Sequence, residues 1–201
     1  MMNKKIKTWF PKTIFEAQSV LTDAEKRDFD YFLQNSVFSK KDNTRRNRML
    51  NVDSSHTVNN FVNAPEVSIF KSKILSLVKE YAQEIGYSQN QTDRLGFLNM
   101  WANVSAMGDY NFPHNHSGSQ FSGVYYLSST PTCDITFYDT LEKTLEEPEI
   151  YNNLSYRYVR YECVENSVLI FQSDLVHGNE YQQEGRKIAV SFNTGFFYEN
   201  R

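Results

Sequence analysis

His114 and His116 stand one residue apart in Pro113-His114-Asn115-His116, just ahead of the strand-like run Ser122-Gly123-Val124-Tyr125-Tyr126-Leu127. On an extended segment, side chains at i and i+2 point to one face, so both imidazoles could reach one ion. A third histidine, His177, closes Ser173-Asp174-Leu175-Val176-His177, and the cations Arg186 and Lys187 follow it. Three of the four histidines therefore fall at the ends of expected strands, leaving only His56 in a polar stretch. That concentration turns two histidines that could be ordinary surface residues into half of a metal site. Neutral imidazole suits iron, copper, nickel and zinc alike, so ligand type alone does not choose the metal.

The last expected strand helps to choose. In Lys187-Ile188-Ala189-Val190-Ser191-Phe192-Asn193 the apolar Ile188, Val190 and Phe192 share one face, while Lys187, Ala189, Ser191 and Asn193 share the other. A small, polar face with one cation at its start suits a cavity wall that holds an anion. Lys187 is the expected carboxylate binder. Arg186 competes for that role, with better bidentate geometry, if the strand begins one residue later or is bulged. Asp174 and Asp139 are carboxylates that could reach a metal only if the fold brings them round; otherwise each caps a turn.

These residues need a scaffold, and the chain's periodicity outlines one. The first forty residues read as a connecting strand and a capped helix: Thr22 with Glu25 three residues on forms a capping box, with Phe29, Phe32 and Leu33 as the apolar stripe of a helix starting near Asp23. Val67, Phe70, Ile74, Leu77, Val78, Tyr81 and Ile85 recur at helical spacing over 65–85, with Pro65 near the first turn and Gly86 as the cap. From 97 onward the period alternates: 97–106, 120–127, 133–138, 158–164, 167–171 and 187–197 are short, aromatic or β-branched runs between turn residues. Two helices followed by six strands predict a mainly β fold, an antiparallel sandwich or barrel with helices on one outer face. The chain reads as a single domain, with 1–95 as helical support and 96–201 as the barrel. The acidic stretch 141–156 breaks the strand pattern and reads as an insertion near the barrel mouth.

Composition removes several function classes. The chain has 201 residues, 40% of them hydrophobic, enough for one sizeable core. A net charge of −3 gives no global reason to bind nucleic acid or an anionic membrane. The basic cluster Lys40, Lys41, Arg45, Arg46 and Arg48 reads as a solvated loop. No run approaches the roughly 18 apolar residues of a membrane span, and no apolar signal core follows the start, so the chain is expected to be cytoplasmic. Cys133 and Cys163 read as two buried thiols rather than a disulfide.

Taken together, Pro-His-Asn-His, Ser-Gly-Val-Tyr-Tyr-Leu, Phe-Gln-Ser-Asp-Leu-Val-His and Lys-Ile-Ala-Val-Ser-Phe-Asn resemble the 2-oxoglutarate and iron(II)-dependent oxygenases. The likeness is to an oxygenase group of bacteria and phages, and more broadly to prolyl hydroxylases; even Trp9-Phe10-Pro11-Lys12-Thr13-Ile14-Phe15 resembles that group's opening. The resemblance implies a double-stranded β-helix, a jelly-roll or cupin-like barrel. It also implies iron(II), with 2-oxoglutarate and O2 as cosubstrates, and hydroxylation with release of succinate and CO2. His114 and His177 match the family's two histidines. His116 stands where the wider superfamily has Asp or Glu, so the facial triad of two histidines and one carboxylate is not reproduced. Three histidines are the expected ligands, ahead of two histidines with water and of a set that includes Asp174. Lys187 matches the basic residue that holds the distal carboxylate of 2-oxoglutarate. Tyr126 resembles the strand tyrosine that hydrogen-bonds that group, and Ser191 shares the Lys187 face. Trp101, Asn103 and Asn193 are expected to line the substrate pocket. The substrate implied is a small molecule or a protein side chain. The rival readings are a three-histidine cupin-like dioxygenase or isomerase that needs no oxoacid, and a non-catalytic jelly-roll binding protein.

Overall fold

A computed structural model of the chain describes residues 5–6, 11–37, 55–56, 60–130, 134–140, 148–152 and 154–198. Its described strands are β1 (Ile14–Gln18), β2 (Ser55–His56), β3 (Leu95–Ala106), β4 (Asn111–His114), β5 (Phe121–Ser128), β6 (Asp134–Tyr138), β7 (Tyr158–Glu162), β8 (Ser167–Gln172), β9 (His177–Asn179) and β10 (Arg186–Phe196). The helices are α1 (Asp23–Phe32), α2 (Ser68–Glu84) and the short α3 (Gln89–Thr92). A π-helical turn, Leu33–Val37, extends α1, and a 3-10 turn, Pro65–Val67, leads into α2.

Local chemistry fixes the helix ends as the sequence predicts. The Thr22 backbone N–H donates to Glu25 Oε2 (2.8 Å), and the Glu25 N–H donates to Thr22 Oγ1 (3.3 Å), which is the capping box. Lys73 of α2 donates to the same carboxylate at 2.6 Å, tying the two long helices together. That bond and the Thr22 N–H hold the Glu25 carboxyl down at about 2. Gly86 ends α2 at φ +102°, the left-handed region that a Cβ penalises.

The strands form two antiparallel sheets, a six-stranded one in the order β1-β8-β5-β10-β3-β2 and a four-stranded one in the order β4-β9-β6-β7. Alternation along each strand decides what goes where. On β10, Ile188, Val190 and Phe192 join Phe121, Tyr125 and Ile170 beneath Phe29, Phe70, Ile74 and Val78 of the helices. Ala189, Val124, Tyr126, Leu169 and Phe171 face the other way and pack against Ile135 and Phe137 of the smaller sheet. The result is a helical layer on one face of a two-sheet sandwich, the architecture of a double-stranded β-helix. Gly123 lets the helix-side core close: a Cβ there would stand 2.3 Å from Phe192 Cζ and 2.7 Å from the Leu169 carbonyl oxygen. No helix of the described residues is long and apolar enough to cross a membrane.

Several expectations are adjusted. The first strand, Ile14–Gln18, pairs with β8 in register from Ile14↔Phe171 to Gln18↔Ser167, so it is a full member of the larger sheet. β4 and β9 were not among the expected strands, because both are short and, apart from Phe112, built of His, Asn, Pro and Gly, with no apolar alternation to reveal them. Ser55–His56 pair with Val104 and Asn103, where the sequence reads as polar loop. The basic cluster 40–48, Cys133 and the core of the acidic stretch, 141–147, lie outside the described residues. Cys163 is buried.

Candidate metal centre

The three histidines converge. His114 and His177 are direct cross-strand partners on β4 and β9. His116 follows β4 in a loop fastened by its own N–H, which donates to the Ser173 carbonyl at 2.8 Å. Ring centroids are separated by 4.6 Å (His114–His177), 5.1 Å (His116–His177) and 5.1 Å (His114–His116). Their ligand nitrogens all lie within 4.8 Å of one another, so small ring rotations can close them on one ion. The strand argument for a shared face was wrong in detail. His116 lies beyond the end of β4, and the loop brings its ring to the ion site in place of i, i+2 alternation.

The hydrogen bonding of the rings fits ligation. His114 Nδ1–H donates to the Phe112 carbonyl (2.8 Å) and His177 Nδ1–H to the Leu175 carbonyl (2.9 Å). A carbonyl can only accept, so each Nδ1 carries the proton and each Nε2 keeps its lone pair; this backbone bond is the usual orienting contact of a metal-binding histidine. Both bonds reach the residue two positions earlier, a repeated device on two paired strands. His177 is buried, with Phe171 and Phe137 rings at 4.7 and 5.9 Å. Burial, then the neighbouring histidines, pushes its imidazolium down to about 3, and burial with the charge of His114 pushes His116 down to about 4. Both rings are therefore neutral at ordinary pH, the state that binds metal. Next to His177, Gly178 admits the bulged β4 backbone: a Cβ would meet the Asn111 carbonyl oxygen at 2.7 Å and Pro113 N at 3.1 Å.

No carboxylate joins the group among the described residues. Asp174 points outward and pairs with Lys12 at 3.7 Å, its side chain 73% exposed. Asp139 pairs with Arg157 at 3.9 Å. Neither reaches the histidines, because the turn after β8 carries Asp174 to the surface while Leu175 and His177 turn inward.

The wall opposite is the inner face of the larger sheet. Lys187, only 5% exposed, pairs in register with Ser105 and shares its face with Ala189, which packs between the sheets. Among the described residues it has neither a carboxylate nor a hydrogen-bond partner. A lysine on this wall with no partner among the described residues is available to an incoming anion. Arg186 turns to the opposite face, where it is exposed and lines a groove of about 510 Å³ with Asp23, Lys26, Asp30 and Glu165. Tyr126 is buried on the inner face of β5, in the sheet opposite the one that holds His114.

Trp101 lies with its ring 5.7 Å from that of His116. Asn103 Nδ2 donates to Ser191 Oγ at 3.3 Å. Asn193 accepts from Ser122 Oγ (2.7 Å) and donates to Asn99 Oδ1 (2.9 Å). Ser122 is also 2.7 Å from Ser173 Oγ, whose carbonyl holds His116, so a buried polar chain runs from β3 to the metal-side loop. Sequence reasoning missed Ser122, Ser173 and Asn99. The available signal was polar residues recurring at inward positions of otherwise apolar strands.

Comparison with known proteins agrees with this geometry. Residues 99–193, just under half of the chain, match the family described as "Putative 2OG-Fe(II) oxygenase". The fold is shared with the viral collagen prolyl hydroxylase of Paramecium Bursaria Chlorella virus-1, solved as a 2OG complex (12% identity, 90% of this chain and 94% of that one, TM-score 0.59). It is also shared with SnoN, the non-heme alpha ketoglutarate dependent epimerase from nogalamycin biosynthesis (10%, 92% and 77%, TM-score 0.68). HygX from Streptomyces hygroscopicus, solved with nickel, 2-oxoglutarate and hygromycin B, is similar too (13%, 93% and 84%, TM-score 0.63). Against curated proteins the chain has no match.

Proposed function

We propose that this chain, a 2OG-Fe(II) oxygenase by its family match over residues 99–193, uses iron(II) and 2-oxoglutarate to hydroxylate a C–H bond of a small molecule or protein side chain, releasing succinate and CO2. The observation that carries this reading is a three-imidazole cluster facing the same interior as a buried, unmatched lysine. His114, His116 and His177 are the ligands. Iron held by them would supply the oxidising chemistry, with O2 and the oxoacid as co-reactants. Everything else falls to the protein.

His114 and His177 are held in one tautomer by the Phe112 and Leu175 carbonyls, so their Nε2 lone pairs are aimed before any ion arrives. His116 is aimed by its backbone bond to Ser173 and by the polar chain behind it. Lys187 binds the distal carboxylate of 2-oxoglutarate, gaining the counter-charge its site lacks. Tyr126 and Ser191 border that anchor, while Phe137 and Phe171 exclude water around His177. Trp101, Asn103 and Asn193 line the substrate side. With a third imidazole in place of a carboxylate, the protein neutralises about one unit less of the metal's charge. The dianionic cosubstrate then becomes the main source of charge balance, tightening the coupling between metal and oxoacid.

The three-imidazole set also suits a cupin-like dioxygenase that needs no oxoacid, and Lys187 is what argues against it. The test is consumption of 2-oxoglutarate by iron-loaded protein in air, read as succinate and CO2. Oxoacid turnover that is lost in His177→Ala and impaired in Lys187→Met supports the proposal. O2-dependent chemistry indifferent to 2-oxoglutarate supports the cupin reading.

A further inference from the structure

The four-stranded sheet has two outer edges, and they are treated differently. At β4, Pro113 has no N–H to offer, and the Phe112 carbonyl is taken by the His114 ring. That edge is blunted. At β7 the phase of the ladder is set by the Asp139 N–H, which donates to the Arg157 carbonyl at 2.8 Å; odd-numbered residues of β7 therefore bond to β6. The backbone groups of Tyr158, Arg160 and Glu162 point away from the sheet. On β7 Tyr158 (55% exposed) and Val159 (41%) are exposed, as are Ile150, Leu154 and Tyr156 in the segment before it. An edge unpaired among the described residues, beside exposed apolar side chains, is a template for another strand.

The charges on β7 say which strand. Arg160 and Glu162 lie on one face of it. In an antiparallel pair of two β7 strands related by a twofold axis, the register that sets Tyr161 against its own copy puts each Arg160 opposite the other chain's Glu162. The neighbouring register that keeps the ladder's phase sets Arg160 against Arg160, and the next leaves Glu162 unopposed. Arg160 pairs with Glu180, which follows β9 across the sheet, and lies 5.6 Å from the Tyr158 ring centroid, so a second chain's Glu162 would share it. Glu162 has no ion pair among the described residues.

We propose that β7 pairs with β7 of a second copy of this chain in the Arg160-to-Glu162 register, joining two four-stranded sheets into one of eight. The ladder is short, because the Glu162 carbonyl also accepts from the Val164 N–H at 3.1 Å and closes the strand's end. An interface of this size belongs with the weak ones, with dissociation constants on the order of 10–100 μM. The metal centre lies on the opposite side of the sheet, and the inference stands independently of the chain's chemistry.

The test is sedimentation velocity on the full chain from low to high micromolar concentration, with Arg160→Glu, Glu162→Arg and the double swap. The expected result is a concentration-dependent dimer, weakened about tenfold or more by either single change, since two attractive contacts become two repulsive ones, and restored to within about threefold by the double swap. Circular dichroism on each variant confirms that the fold is kept; both positions are exposed. A monomer throughout overturns the proposal. A dimer indifferent to Glu162→Arg, or a double swap no better than the singles, overturns it as well.

Discussion

Replacing Lys187 by methionine should separate stability from binding. The side chain is 5% exposed and has no hydrogen-bond or ion-pair partner among the described residues, so deleting its charge breaks no contact seen there. Methionine keeps most of the stem and its packing while deleting the charge. Thermal stability of the oxoacid-free protein should hold or rise. Cosubstrate binding should suffer: a hydrogen bond between charged groups contributes about 1.5–3 kcal/mol, which corresponds to roughly a 10- to 100-fold weaker dissociation constant for 2-oxoglutarate. Arg186→Met is the control, because that side chain faces the groove beside α1 on the other side of the sheet. The assays are calorimetric titration of 2-oxoglutarate into manganese-loaded protein and thermal melting without it. An affinity within threefold of wild type in Lys187→Met, with a tenfold loss in Arg186→Met, would refute the assignment of the inner face as the oxoacid site.

Three further outcomes follow from the same geometry. Asp174→Asn should leave metal affinity unchanged, because the carboxylate it removes pairs with Lys12 at the surface; equilibrium dialysis showing a tenfold loss would contradict this. Gly123→Ala should lower stability by about 1–3 kcal/mol, because its Cβ collides with Phe192 and with the Leu169 backbone, and only the ring can yield; urea unfolding within 0.5 kcal/mol of wild type, roughly the size of a neutral surface change, would contradict it. Metal-free protein should lose stability as pH falls from about 6.5 toward 4. His116 and His177 have folded-state values below those of the unfolded chain, so only the unfolded chain takes up their protons in that window, costing about 1.4 kcal/mol per pH unit for each group. The slope should shrink in His177→Asn, and an unchanged slope would count against burial as the cause.

The strongly periodic parts of the fold were legible in the sequence. The Thr22 capping box, the 65–86 helix with its glycine stop and the alternation of β10 each follow from a local rule that the tertiary structure obeys. β4 and β9 escaped for a physical reason: their residues are chosen for the metal and for a bulge, so propensity is silent where function is densest. That the three histidines come together was still legible, because residue type and rough position suffice for histidines even when the strand under them is misjudged. For Lys187 against Arg186, parity within one unbroken strand was enough to favour the lysine. The polar chain from Asn99 to Ser173 was not legible, because its members become neighbours only when three strands and a loop assemble.

The most direct test of the central claim is an anaerobic titration of iron(II)-loaded protein with 2-oxoglutarate, followed in the visible range, in wild type and in His177→Ala. The account predicts a weak charge-transfer band that saturates at one oxoacid per iron in wild type and is absent in the variant. Iron bound by the wild type with no band at any oxoacid concentration would contradict it, as would a band of equal strength in His177→Ala.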